Sequence, residues 1–150
     1  MGSDEGLEVW AVAATKAKYF RYTDTGRWDD LRSLFTDDAE FELPFMGKFE
    51  HVDIAIRTVQ ERIGDEWSFH ASSIPEISIV SPTEATGIFA MFSHAKKDDS
   101  DELGRMFGYY YDEFRKVEGK WLISSLRLIS SYRNMFGFKH QATDLADTVL

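Results

Sequence analysis

Hydrophobic residues in the first third of the chain recur every three to four positions, a spacing that is typical of helices. This spacing predicts a first helix over about residues 4–22, a short second helix from Trp28, and a third helix over about 51–63 that Gly64 ends. The apolar positions expected on the buried face of the first helix are Leu7, Trp10, Ala14, Ala17 and Phe20.

Outside the third helix, the hydrophobic period after about residue 39 is two, which is typical of strands. Residues 39–43 alternate apolar and acidic side chains up to Pro44, and further extended segments are 67–81, 83–97, 105–117 and 120–132. Polar turns separate the last three segments, so these should form a curved antiparallel meander that the helices cover. The pattern predicts one α+β domain over residues 1–150, with a core over about 7–133. The tail, 134–150, is ambiguous, and residues 141–150 are either a short helix or frayed.

The composition narrows the partners and the compartment. Hydrophobic residues make up 43% of the chain and aromatic residues 15%, which suffices for a core and for an aromatic cavity, and favours a homo-oligomer. The net charge of −9 argues against nucleic acid and anionic membranes as partners. The N-terminal segment is acidic and no run of ~20 apolar residues is present, so we expect a cytoplasmic protein.

Several common catalytic and cofactor motifs are missing from the sequence. The chain has no cysteine, no glycine-rich phosphate loop, no HExxH and no GxSxG segment. The acidic run over residues 98–102 lacks the alternating ligands and the central glycine of a calcium loop, and is interpreted as a solvated turn. We therefore expect neither a metal nor a cofactor.

Asp24 stands out because it falls at the end of the first helix, just before the turn at Gly26. The dipole of a helix disfavours a carboxylate at that end, so Asp24 needs a partner from elsewhere in the chain. His70, on a predicted strand with small neighbours, is the candidate. Paired with a carboxylate, an imidazole serves as a general base. The alternative is a partly buried histidine that hydrogen-bonds only to backbone.

Other polar residues are candidates for contacts with a substrate. Tyr19 lies five positions before Asp24, about 140° away around a helix, so the helix is expected to loosen before Asp24. Tyr19 donates a hydrogen bond to a substrate oxygen or is an ordinary interfacial tyrosine. Tyr110 shares a strand face with Met106 and Gly108, and Gly108 would leave space for a bound ring.

Two adjacent polar residues and two arginines remain open at this stage. Strand alternation allows only one of Ser93 and His94 to face a cavity. Arg127 and Arg133 are expected to share one face of the last strand and to bind an acidic group or an interface carboxylate, unless they are solvated. The two remaining histidines, His51 and His140, are interpreted as surface residues.

Three segments carry a resemblance to a known family: KYFRYTDTGRWDDLRSLFTDDAEFELP, FHASSIPEISI and YYYDEFRKVEGKWLI. Together they resemble the SnoaL-like branch of the nuclear-transport-factor-2-like superfamily, a branch that is similar to scytalone dehydratase, bile-acid 7α-dehydratase and lindane dehydrochlorinase. The resemblance covers about residues 7–133. It implies a cone-shaped α+β barrel, in which three N-terminal helices wrap a curved antiparallel or mixed sheet around a deep apolar pocket.

The resemblance also implies roles for individual residues. Asp24 and His70 match the acid/base dyad of those dehydratases, and Tyr19 matches a pocket tyrosine. The positions that match the pocket lining are Phe41, Met91, Ser93, Met106, Gly108, Tyr110, Leu126, Leu128 and Arg133. Two positions depart from the pattern, because Leu43 replaces a carbonyl-binding tyrosine and Ser93 replaces a second pocket His or Asp.

The expected function is a cofactor-independent lyase or isomerase, that is, a dehydratase, double-bond isomerase or cyclase. Its substrate would be a small hydrophobic cyclic alcohol or ketone, polyketide- or steroid-like, and the protein a dimer or trimer. One alternative is a ligand-binding or assembly module, or the small subunit of a ring-hydroxylating oxygenase. Another is an isomerase with Glu42 or Asp112 as its base. Contact between Asp24 and His70 would discriminate, since a binding module does not need it.

Overall fold

The structure, a computed structural model, describes residues 3–64, 66–97, 99–136 and 138–141. Its helices are α1 (Ser3–Asp24), α2 (Trp28–Arg32) and α3 (Val52–Ile63). Its strands are β1 (Phe35–Leu43), β2 (Gly47–Phe49), β3 (Trp67–Ser72), β4 (Glu76–Ser81), β5 (Glu84–Lys96), β6 (Leu103–Val117), β7 (Lys120–Met135) and β8 (Phe138–Gln141). The predicted tail is strand at its beginning, in β8, whereas residues 142–150 lie outside the described residues.

The strands form one mixed sheet that the helices wrap, which confirms the predicted α+β class. Its order is β2-β1-β7-β6-β5-β3, with β4 also paired to β5 and β8 to β7. The predicted meander is β5-β6-β7, and β1 joins it in parallel to β7. The segment predicted as one strand over 67–81 is two, β3 and β4. Pro75 lies between these two strands, where its missing N–H removes no hydrogen bond from the sheet.

The buried face of α1 differs from the predicted one. Leu7 and Trp10 are 68% and 76% exposed, and Ala17 is exposed as well. The buried side chains of α1 are Val12, Thr15, Lys16, Tyr19, Phe20 and Thr23. The hydropathy pattern missed this face because three of its six side chains, those of Thr15, Lys16 and Thr23, are polar. Each of the three is hydrogen-bonded or ion-paired inside the protein. For example, the Thr15 hydroxyl donates to the Trp121 carbonyl at 2.9 Å.

Two irregularities in β7 change which of its side chains face the interior. The pairing with β6 skips Ser124 and Ser131, so each adds one residue to β7 without a partner. Because side chains alternate along a strand, each extra residue reverses the parity of those that follow. Arg127 is therefore partnered with Tyr111 on one face, whereas Arg133 is partnered with Met106 on the other. The expectation that the two arginines share a face is wrong.

Candidate active site

Asp24 and His70 are in direct contact where the end of α1 meets β3. The Asp24 carboxylate lies 2.6 Å from the imidazole Nδ1 of His70. Both side chains are largely buried, with exposures of 13% and 15%. An imidazole whose Nδ1–H donates to a carboxylate has Nε2 unprotonated in its neutral form. Within the described part of the chain, Nε2 of His70 has no hydrogen-bond partner.

The same carboxylate is anchored by two further hydrogen bonds. It accepts the backbone N–H of His70 at 2.8 Å and the hydroxyl of Ser68 at 3.0 Å. These donors offset the unfavourable position of Asp24 at the end of a helix. The helix does not loosen before Asp24, as α1 runs to that residue. The ring of Phe20 stacks parallel to the imidazole, with the ring centroids 6.3 Å apart, and fixes its plane.

A cavity of about 360 Å³, the inner cavity, lies between α1, α3 and the sheet, and His70 forms part of its wall. Its apolar lining is formed by Leu43, Met46, Val59, Ile63, Trp67, Ala95, Met106, Leu128, Met135 and Phe136. Its polar lining is formed by Tyr19, Thr23, Ser68, His70, Ser93, His94 and Tyr110. The charged lining residues are Arg62, Glu66, Lys97 and Arg133. An apolar hollow with a few polar groups on its wall is the usual form of a small-molecule site.

Two tyrosines line the inner cavity together with His70. Tyr19 and Tyr110 are 5% and 2% exposed, and their side chains are hydrogen-bonded to each other. Burial raises the pKa of both phenols above the ordinary value of 10.0. Both phenols therefore keep their protons at neutral pH. One of the two protons is used in the hydrogen bond between them, and the other remains able to donate to an oxygen in the cavity.

A buried ion pair lies behind these tyrosines. The Lys16 ammonium is 2.6 Å from the Asp112 carboxylate, and neither side chain is more than 2% exposed. The ammonium also lies over the ring of Tyr110, 3.4 Å from its centroid. Burial raises the pKa of Asp112, and the positive charge of Lys16 opposes this. Asp112 does not line the inner cavity, which removes it as the carboxylate base considered from the sequence.

A second, larger hollow, the outer groove, runs between α1 and β3 with a volume of about 640 Å³. Asp24, Ser68 and His70 all border it, and Ser68 and His70 border the inner cavity as well. Ser68 and His70 therefore lie in the wall between the two hollows, and Asp24 lies on the side of the outer groove. The outer groove has none of the tyrosines of the inner cavity among its lining residues.

The residues matched to a pocket by resemblance divide into two groups. Tyr19, Ser93, Met106, Tyr110, Leu128 and Arg133 line the inner cavity, as do Leu43 and His94. Phe41, Met91, Gly108 and Leu126 are buried but are not among its lining residues. Phe41 and Leu126 are strand partners deeper in the core. Gly108 leaves no space for a ring, because a Cβ there would collide with the Ile129 carbonyl.

Three other charged or titratable residues lie away from the inner cavity. Glu42 is about half exposed and lies 3.6 Å from Arg127, so it does not point into the inner cavity. His51 is exposed at the start of α3. The ring of His140 contacts that of Phe45, with 5.0 Å between the centroids.

Sequence reasoning missed Ser68, Lys16 and Arg62. Ser68 precedes His70 by two positions, so strand alternation alone puts both on one face, and this signal was available. Arg62 lies in the last turn of α3. Basic residues are common there because they interact favourably with the helix dipole, so Arg62 could not be recognised as a cavity residue from the sequence. Lys16 lies between Thr15 and Ala17, and nothing in the sequence distinguishes it from a solvated lysine on a helix.

The buried ion pair makes a prediction about pH. Burial lowers the pKa of Lys16 from 10.5 to about 8, against the attraction of Asp112. Between these values the unfolded chain binds a proton that the folded chain does not, so the stability contributed by Lys16 is present above about pH 10.5 and is lost as the pH falls through about 8. The free energy of unfolding, relative to that of the Lys16→Met/Asp112→Leu variant, should rise from about pH 7.5 to about pH 10. Urea titrations at both pH values measure it, and a flat or falling difference would contradict the depressed pKa of Lys16.

Two negative findings concern the described residues alone. None of the helices described is long and apolar enough to cross a membrane. Across residues 3–64, 66–97, 99–136 and 138–141, the His, Asp and Glu side chains form no group of three or more that could hold a metal ion.

Comparison with known proteins gives both family and fold. The model of the SnoaL-like domain family matches residues 5–127. The protein named "Probable cyclase FGR4" from Gibberella zeae is 26% identical over 81% of this chain and 89% of its own length. A candidate scytalone dehydratase from Novosphingobium aromaticivorans has a TM-score of 0.85 at 22% identity, covering 97% of this chain and 98% of its own. The hexachlorocyclohexane dehydrochlorinase LinA type 2 has a TM-score of 0.78 at 16% identity, covering 95% and 97%. The two likenesses to solved structures show the fold.

Proposed function

The chain belongs to the SnoaL-like domain family, and on this premise we propose that it is a lyase or isomerase that needs no cofactor. Its base is His70, its substrate is a small hydrophobic cyclic alcohol or ketone, and the reaction takes place in the inner cavity. The observation that carries this proposal is the 2.6 Å contact between Asp24 and His70 in the wall of that cavity. The relatives named as a cyclase, a dehydratase and a dehydrochlorinase support the reaction class.

Proton abstraction is the first proposed step. Nε2 of His70 removes a proton from the carbon next to the substrate carbonyl, and the electron pair of that C–H bond moves into an enolate. Asp24, held by Ser68 and by the backbone N–H of His70, keeps the imidazole in the required tautomer and stabilises the imidazolium that forms. General base catalysis of this kind contributes roughly 10²–10⁴ in rate.

The Tyr19–Tyr110 pair stabilises the enolate oxygen by donating a hydrogen bond to it. Both phenols are buried, hydrogen-bonded to each other and held in the protonated form by the raised pKa. A donor already ordered before the reaction costs little reorganisation when negative charge develops on the substrate oxygen. The surrounding apolar side chains exclude water and strengthen the interaction.

The proton on His70 decides the outcome of the second step. If the substrate carries a hydroxyl on the β-carbon, the imidazolium gives its proton to that hydroxyl, the C–O bond breaks, and water leaves. If it carries instead a C=C bond between the β- and γ-carbons, the imidazolium returns the proton to the γ-carbon of the dienolate, and the double bond moves into conjugation with the carbonyl. Both reactions begin with the same abstraction, so one dyad serves either.

Dehydration of 3-hydroxy-1-tetralone tests the proposed function. Loss of its C2 proton and its 3-hydroxyl gives water and, after tautomerisation, 1-naphthol, which is fluorescent. We expect the wild-type protein to accelerate the formation of 1-naphthol over buffer by at least the roughly 10²-fold that a positioned base contributes. His51→Gln, which removes an exposed histidine, should match the wild type. A wild-type rate equal to that of buffer would contradict the proposal for this substrate class.

A further inference from the structure

Positively charged side chains line the inner cavity although the protein is strongly acidic. The net charge of the chain is −9, yet three of the cavity's lining side chains are Arg62, Lys97 and Arg133. Glu66 is the carboxylate that accompanies them among the described lining residues. Cations gathered around a hollow in an acidic protein raise the local concentration of an anionic ligand.

Arg62 on α3 and Arg133 on β7 both line the inner cavity. Burial lowers the pKa of Arg133, and the positive charge of Arg62 lowers it further. The Arg133 guanidinium lies over the ring of Phe45, 4.8 Å from its centroid, and this contact orients the group. Both side chains border the inner cavity, where a ligand can reach them from one hollow.

The strand register relates the position of His70 to that of Arg133. His70, Ser93, Met106 and Arg133 are successive Cα partners across β3, β5, β6 and β7. Neighbouring strands are about 4.8 Å apart, so the two ends of this row are separated by roughly 14 Å along the sheet. The row spans the wall of the inner cavity, with the base at one end and the guanidinium at the other.

We propose that the substrate of the inner cavity carries a carboxylate, which Arg133 binds together with Arg62, and that its reacting carbon lies at the opposite end beside His70. The guanidinium of Arg133 suits this ligand, because its planar set of donors matches the two oxygens of a carboxylate. The placement of the reacting carbon rests on the proposed function, whereas the binding of the carboxylate does not.

Two ligands of one shape and different charge test the proposal by binding alone. The probes are 2-naphthoate and its neutral isostere 2-naphthamide, and isothermal titration calorimetry at low salt measures both affinities. We expect the wild-type protein to bind 2-naphthoate roughly tenfold tighter or more, as is typical of hydrogen bonds between charged groups. Added salt should reduce this preference, because mobile ions screen the attraction between the carboxylate and the guanidinium groups.

Variants assign the preference to named side chains. Arg133→Gln should bring the two affinities within about twofold, and Arg62→Gln should reduce the preference in part. The matched control is Arg127→Gln, which removes one positive charge from the same strand but from outside the inner cavity, and it should keep the preference. Arg62 is exposed, so its variant gives an answer even if the Arg133 variant does not fold.

Several results would overturn the proposal. These are equal affinities of the wild-type protein for the two probes, an unchanged preference in Arg133→Gln and Arg62→Gln, or an equal loss in Arg127→Gln. His70→Gln separates this proposal from the proposed function. It should keep the preference for 2-naphthoate even if the wild-type protein shows no dehydration activity, because the carboxylate site does not involve the imidazole.

Discussion

Removing one member of the buried Lys16–Asp112 pair is expected to lower the free energy of unfolding by about 3–5 kcal/mol. Lys16→Met leaves the Asp112 carboxylate buried without its cation, and Asp112→Leu leaves the ammonium enclosed by tyrosine and phenylalanine rings. Neither group can reach water, since both side chains are at most 2% exposed. Urea titration of each variant near neutral pH measures the loss.

The double variant and a surface pair provide the controls. Lys16→Met/Asp112→Leu removes both charges and should recover most of the stability that either single change loses, because desolvation of the pair offsets much of its attraction. Lys48→Met breaks the exposed pair with Glu40 and should cost at most about 1 kcal/mol. Single variants within about 1 kcal/mol of the wild type would mean that water reaches the pair.

Loss of the dyad is expected to reduce the dehydration of 3-hydroxy-1-tetralone by roughly 10²–10⁴. His70→Gln removes the base but keeps an amide of similar reach, and Asp24→Asn removes the negative charge that holds the tautomer. Asp24→Asn should also weaken the anchoring of the imidazole, because three donors converge on this carboxylate.

Non-additivity distinguishes a working pair from two independent residues. The double variant Asp24→Asn/His70→Gln should be no slower than the slower single variant, since Asp24 acts only through His70. All three variants should keep a wild-type circular dichroism spectrum. Activity near that of the wild type in folded His70→Gln would remove the imidazole from the mechanism, and full additivity of the losses would give Asp24 a separate role.

The elements of the fold could be predicted from the sequence because they are long and regular. The three helices and the β5-β6-β7 meander lie within a few residues of their predicted bounds. The contact of Asp24 with His70 was predicted as well, for a physical reason: a carboxylate at the end of a helix requires donors, and β3 supplies them.

What could not be predicted depends on contacts between distant parts of the chain. The buried face of α1 includes Lys16, and only the partner Asp112 on β6 makes its burial possible. The face of the sheet on which Arg133 lies depends on the extra residue at Ser131, and a serine within a strand does not by itself predict a bulge. The same offset brings the backbone of β7 against Gly108 and fills the space that the glycine was expected to leave.

The most direct test of a base at His70 is the exchange of deuterium from D₂O into 2-tetralone, a cyclic ketone with acidic protons and no leaving group. Proton NMR in D₂O follows the loss of the C1 hydrogens without any need for the natural substrate. We expect exchange well above the buffer rate with the wild-type protein, and exchange at the buffer rate with folded His70→Gln. Equal exchange by the two proteins, or none above buffer by the wild type, would contradict a base at His70.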